Sequence, residues 1–114
     1  MRKIITVPKN ELALKALDYD NATSDQLYEI YLSESQFKAL WDAGVFDRIS
    51  DIASVNIDIY EDEEITDKAV LEKVISSGVF ELNFSDVHLN EAVKKVKELF
   101  LKAIECETGV FFFF

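Results

Sequence analysis

His88 and Cys106 occur once each and are the two side chains best suited to nucleophilic or proton-transfer chemistry. A catalytic Cys-His pair must come within hydrogen-bond reach to share a proton. The residues between them repeat apolar positions at helical steps. Ala92, Val93, Val96, Leu99, Phe100, Ala103 and Ile104 form one stripe, while Glu91, Lys94, Lys95, Lys97, Glu98, Lys102 and Glu105 fill the rest of the circumference. On such a helix, at ~1.5 Å per residue, His88 and Cys106 lie roughly 27 Å apart. They cannot act together, which leaves His88 as a first-turn surface residue and Cys106 as a small side chain beside the apolar stripe. One Cys and one His are too few for the common zinc sites. Three isolated glycines make neither a phosphate loop nor a dinucleotide fingerprint, and the Gly-x-Ser-x-Gly elbow is missing. A Ser-His-Asp triad drawn from distant parts of the chain stays open.

The remaining candidate is the acidic run Asp58-Ile59-Tyr60-Glu61-Asp62-Glu63-Glu64, with Asp67 just beyond it. A hard cation would need six or more oxygens converging on one point. The run has no loop glycine and no EF-hand spacing, so neither a metal nor any other cofactor is expected. Part of the charge has a structural explanation, because Glu63, Glu64 and Asp67 flank the start of a helix, where negative charge is favourable. Asp58, Glu61 and Asp62 are left without such a role. Like charges crowded together cost free energy that a basic protein surface would offset. Tyr60 falls on the wet side of its segment, and Tyr19, Tyr28 and Tyr31 lie in or near a second acidic stretch. Tyrosine beside carboxylate suits a protein-binding patch, the ring giving rigid contact area and the charges orientation. Asp58, Tyr60, Glu61, Asp62, Glu63 and Glu64 are therefore the expected partner-binding residues, with Tyr60 first among them.

The charge distribution points the same way. The formal net charge is −10, but residues 1–17 carry four basic side chains and one acidic, and residues 68–114 carry six basic and seven acidic. Residues 18–67 carry fourteen acidic side chains against two basic, a net −12. Such a field repels nucleic acid and anionic lipid and speeds encounter with basic partners. Solubility alone is the plainer reading. At 49% hydrophobic and 30% charged residues, the 114-residue chain is too apolar for disorder and suits one domain. Its longest apolar run is five residues, far short of the ~20 of a membrane helix, and the basic start lacks a secretory apolar core. With a single cysteine, these features favour a cytoplasmic protein.

The elements that must position these residues follow from pattern. Ile4, Ile5 and Val7 read as a strand closed by Pro8. A brief helix follows Asn10, then a loop over residues 18–25 and a strand over 27–32. Ser33 and Gln36 have capping-box spacing, and Gly44 breaks the helical pattern into 34–43 and 46–53. Val55, Ile57 and Ile59 alternate with polar neighbours, as do Phe80, Leu82 and Phe84, so both segments are expected as strands with one wet face. Between them an acidic loop at 61–64 precedes a helix capped by Thr66. Asp86 or Ser85 caps the long helix, and Gly109 is expected to leave it through a left-handed conformation. Val110-Phe111-Phe112-Phe113-Phe114 has no polar member and reads as a central strand covered on both faces. The expected fold is α+β, a single domain over residues 1–114 with a mixed or largely antiparallel sheet of about five strands and helices mainly on one face. The wet faces argue against an all-parallel sheet, and a doubly wound α/β arrangement is the alternative.

Three stretches carry a resemblance: Ser35-Gln36-Phe37-Lys38-Ala39-Leu40-Trp41 running into Gly44-Val45-Phe46, Ile57-Asp58-Ile59-Tyr60-Glu61-Asp62-Glu63-Glu64-Ile65, and Thr108-Gly109-Val110-Phe111-Phe112. With them the chain resembles the small acidic immunity proteins of bacterial polymorphic toxin systems, including contact-dependent growth inhibition. The resemblance implies a non-enzyme that binds one cognate toxin domain, often a basic nuclease, and blocks its active site or substrate groove; it assigns no individual residue. A small enzyme or ligand-binding domain using a carboxylate pair in a cleft is the competing class, and a homo-oligomeric scaffold a third.

Overall fold

The computed structural model describes residues 3–114. Strand β1 (Ile4–Pro8) leads into α1 (Glu11–Asp18), whose N-cap Asn10 accepts a hydrogen bond from the Ala13 amide at 2.8 Å. A 3₁₀ turn precedes β2 (Leu27–Tyr31). The Ser33–Gln36 capping box opens α2 (Glu34–Asp42), and Gly44, at φ 78°, turns the chain into α3 (Val45–Ala53). The short β3 (Glu63–Ile65), α4 (Lys68–Ser76), a second 3₁₀ turn, the twenty-residue α5 (Val87–Cys106) and β4 (Val110–Phe113) complete the chain.

The sheet is four-stranded and wholly antiparallel, in the order β2-β1-β4-β3. That excludes the doubly wound alternative, and β4 takes the interior position its unbroken apolar sequence requires. Ile5, Val7, Val110, Phe112 and Ile65 point to one face and join a single buried cluster with Leu40 of α2, Phe46 and Ile49 of α3, Leu71 and Val74 of α4, and the apolar stripe of α5. Phenylalanines dominate it. Phe112 lies 6.4 Å from Phe46, 6.3 Å from Phe100 and 5.7 Å from Phe114 between ring centroids. The opposite face carries Ile4, Thr6, Phe111 and Phe113, with α1 set against β1.

Two expected strands are absent, for a shared reason. In residues 55–60 only Ile57 is fully buried, and its amide bonds to the Ser50 hydroxyl (3.1 Å) rather than to a neighbouring strand. The Asn56 amide goes to a Glu63 carboxylate oxygen (3.2 Å), and Ile59 is 40% exposed. In residues 80–84 Phe80 is buried within a 3₁₀ turn entered through Gly78 at φ 85°, and Asn90 holds both the amide and the carbonyl of Phe84 (2.9 and 2.7 Å). Alternation reports which side chains are covered; a strand also needs a ladder partner for its backbone, and none is offered here. The residues expected as an acidic loop supply β3 instead, because β4 presents a free edge to them.

Two smaller expectations are corrected. Asp67 caps α4 in place of Thr66, accepting from the Ala69 amide at 2.9 Å. The left-handed exit from α5 is made by Glu107 (φ 56°), not by Gly109. Gly109 is required for another reason: a Cβ there would stand 2.8 Å from the Ile65 carbonyl oxygen and 2.8 Å from Thr66 Cγ2. Backbone cannot yield as a flexible side chain can, so Gly109→Ala is expected to cost about 1–3 kcal/mol by forcing β3 away from β4. Urea unfolding checks it, and a variant as stable as the parent would refute the close approach.

Candidate functional site

The second face of the sheet is incompletely covered, and the acidic segments meet there. A hollow of about 450 Å³ is lined by Ile4, Leu27, Glu29 and Tyr31 from β1 and β2, Leu17, Asp20 and Ala22 from α1 and its following loop, Asp62, and Phe113 and Phe114. It shares Leu17, Asp20, Asp62 and Phe113 with a second hollow of about 220 Å³, which adds Asp18, Glu63, Glu64 and Phe111. Together they form one groove. Its floor is aromatic, Phe111 and Phe113 lying nearly parallel with centroids 6.2 Å apart. Its walls carry acidic residues from stretches some forty residues apart in the chain, Asp18 and Asp20 on one side and Asp62 and Glu64 on the other, while Glu63 lines it with its carboxylate turned to the Asn56 and Glu64 amides.

The topology explains the meeting. β3 pairs with β4, placing residues 62–64 beside Phe111 and Phe112, while α1 delivers Leu17 to the same side of β4. Glu29 is positioned by the buried Thr6, whose hydroxyl donates to its Oε2 at 3.3 Å. Among the described residues no Lys or Arg lines either hollow. The four ion pairs among the described residues join Lys15 to Glu11, Lys38 to Asp42, Lys97 to Glu81 and Lys102 to Glu105, and none takes a groove carboxylate. No group of three or more potential ligands among the described residues is arranged to hold a metal ion.

The expected partner-binding residues divide into two sets. Asp58 is a turn-builder: its Oδ1 accepts from the amides of Tyr60 (2.9 Å) and Glu61 (3.2 Å), and its Oδ2 from Asn56 (2.8 Å). Glu63 is also engaged, accepting from the amides of Asn56 and Glu64 at 3.2 and 3.0 Å. Tyr60 (89% exposed), Glu61, Asp62 and Glu64 stand free in solvent, and of these Asp62 and Glu64 line the groove. Asp18, Asp20, Glu29, Tyr31 and Phe113 line the groove without belonging to the expected partner-binding set. The stretch at 18–25 was visible as acidic, but only strand order could bring it opposite residues 62–64.

Comparison with protein-family models, curated proteins and solved structures gives no match. The fold and the groove therefore stand on their own physical chemistry.

The chemistry-bearing residues outside the groove lie apart. His88 is exposed in the first turn of α5, where Asp86 caps its amide at 2.9 Å, and Cys106 is the last helical residue. Burial pushes the Cys106 thiol up, Glu105 adds to this, and Lys102 and Lys9 oppose it. The thiol thus holds its proton at pH 8 more firmly than a free cysteine, and iodoacetamide should modify it more slowly than glutathione; faster reaction would contradict that environment. Asp25, in the loop before β2, is held below the usual carboxylate range, chiefly by the Thr23 hydroxyl. The tyrosines also separate: Tyr28, on the helix-covered face, has the ammonium groups of Lys9 and Lys102 within 5.1 and 5.2 Å of its ring centre, whereas Tyr31 is 66% exposed at the groove.

Proposed function

We propose that this chain is a non-enzymatic immunity protein that binds and neutralises a basic, nuclease-like toxin domain through the groove on the open face of its sheet. One observation carries the reading: carboxylates from two separate parts of the chain line a single aromatic-floored groove into which no cation of the described residues reaches. Placing several like charges along one groove raises the negative potential there, and a partner bringing Lys or Arg relieves it while being steered in. Phe113 and Tyr31 provide the rigid area that converts encounter into residence. The same groove suits a surface that ordinarily holds nucleic-acid phosphates, because Asp20, Glu29, Asp62 and Glu64 then stand in for them. Among the described residues no helix is long and apolar enough to cross a membrane, and the site of action on this reading is the cytoplasm, where the toxin acts.

The test is co-expression. Cells producing the basic C-terminal domain of a secreted protein encoded beside this chain should survive only when the chain is made in at least equal amount, and the two should co-purify at low salt. Survival without the chain, or rescue without physical association, would overturn the reading.

A further inference from the structure

The two edges of the sheet are finished differently. At one edge β3 is only three residues long, and the Glu63 carboxylate takes up the outward amide of Glu64. That edge is plugged. At the other edge β2 pairs with β1 over five residues in unbroken register, from Ile4 opposite Tyr31 to Pro8 opposite Leu27. Hydrogen bonds from Leu32 N to Lys3 O (2.8 Å) and from Lys9 N to Gln26 O (2.9 Å) fix the alternation. The backbone groups of Tyr28 and Ile30 therefore face β1, and those of Leu27, Glu29 and Tyr31 face outward. Leu27 N is used by Ser24 O. The amides of Glu29 and Tyr31 and the carbonyls of Leu27, Glu29 and Tyr31 have no partner among the described hydrogen bonds. β2 contains no proline, lysine or bulge, the usual devices that keep an edge from being paired.

We propose that the basic partner docks by adding an extended strand, antiparallel, to this edge of β2. The inference rests on the groove reading and says how the partner enters it. In such a pair the added residues opposite Leu27, Glu29 and Tyr31 share their face, which is the groove face, and those opposite Tyr28 and Ile30 fall on the helix-covered face. Glu29 and the groove carboxylates select Lys or Arg at the first set. Tyr28, already flanked by Lys9 and Lys102, repels cations and with Ile30 selects apolar residues at the second. The occupant is thus a segment alternating basic and apolar residues. A second copy of this chain is disfavoured, because self-pairing centred on β2 sets Glu29 against Glu29 between molecules of net charge −10.

The probe is the capped heptapeptide Val-Lys-Val-Lys-Val-Lys-Val, titrated into the isotopically labelled full chain by NMR. Two derivatives of equal charge carry backbone N-methyl groups either on the lysines, whose amides would face β2, or on the valines, whose amides would face away. Binding of the parent peptide should protect the Glu29 and Tyr31 amides from exchange. Methylation of the lysines should weaken binding about tenfold or more, and methylation of the valines by less than about threefold. Equal binding of both derivatives, sensitive to charge reversal at Asp62 and Glu64, would overturn strand addition and leave the groove reading intact. Failure of the parent peptide to bind would also overturn it. So would a concentration-dependent dimer of this chain that Tyr31→Pro abolishes, since the edge would then belong to a second copy.

Discussion

Phe112→Ala should lower the stability of the folded chain by about 3–5 kcal/mol, among the largest single losses expected in it. Phe112 is 1% exposed and sits at the middle of the sheet, paired with Ile5 on one side and Glu63 on the other. Its ring contacts those of Phe46, Phe100 and Phe114, which come from α3, α5 and the residue just after β4. Truncation removes the transfer free energy of the ring and leaves a cavity that three aromatic neighbours from separate parts of the chain cannot collapse to fill. Small domains have about 5–15 kcal/mol in total, so the variant should be near its unfolding midpoint under mild conditions. In urea the midpoint should fall by roughly 2 M with little change in slope. A drop of less than about 1 kcal/mol would mean that the aromatic cluster is loosely packed and that the fold is held elsewhere. Phe113→Ala is the matched control, because Phe113 faces the groove and is only half-buried.

On the proposed function, the triple reversal Asp20→Lys, Asp62→Lys and Glu64→Lys should abolish neutralisation while leaving the fold in place. All three side chains are exposed, and none makes a hydrogen bond or ion pair through its carboxylate among the described residues. If each reversal turns an attraction worth about 1.5 kcal/mol into none, affinity for the toxin domain falls by about three decades, and more where like charges then face each other. The parent complex should weaken steeply with salt, and the variant should lose most of that dependence. Each reversal adds two charges, so the net charge moves from −10 to −4. Reversing Glu72, Glu91 and Glu98 on α4 and α5 produces the same change away from the two groove hollows. If that control variant lost binding equally, overall charge rather than the groove would be responsible. Asp58 and Glu63 are unsuitable targets, because their carboxylates hold the 56–64 turn together.

Much of this arrangement could be read before any coordinates. The capping box at Ser33, the break at Gly44, the Asp86 cap, the apolar stripe of α5 and the interior strand at Val110 are all local signals, written in residues that touch one another along the chain. The misreadings were of partnership. Val55, Ile57 and Ile59 alternate as a strand does, yet side chains of Ser50 and Glu63 answer amides of that segment. Glu63, Glu64 and Ile65 carry no strand pattern of their own and become one because β4 has an edge to fill. The candidate site was legible in the same degree. Asp62 and Glu64 could be singled out from charge, and Tyr31 suspected from its neighbours, but the convergence with Asp18 and Asp20 depends on which strands lie side by side. No spacing rule encodes that.

One contact has a bearing on how the protein comes into being. The buried Thr108 hydroxyl donates to the Pro8 carbonyl at 2.6 Å, and β4 then runs between β1 and β3. Of the described elements, the segment translated last is inserted between two that were translated earlier. While the ribosome still holds Val110–Phe113, β1 and β3 have no common neighbour, and the aromatic floor does not exist. The groove therefore forms in one step once Val110–Phe113 has left the ribosome, and on the proposed function a nascent chain stalled before that point offers a toxin nothing to grip.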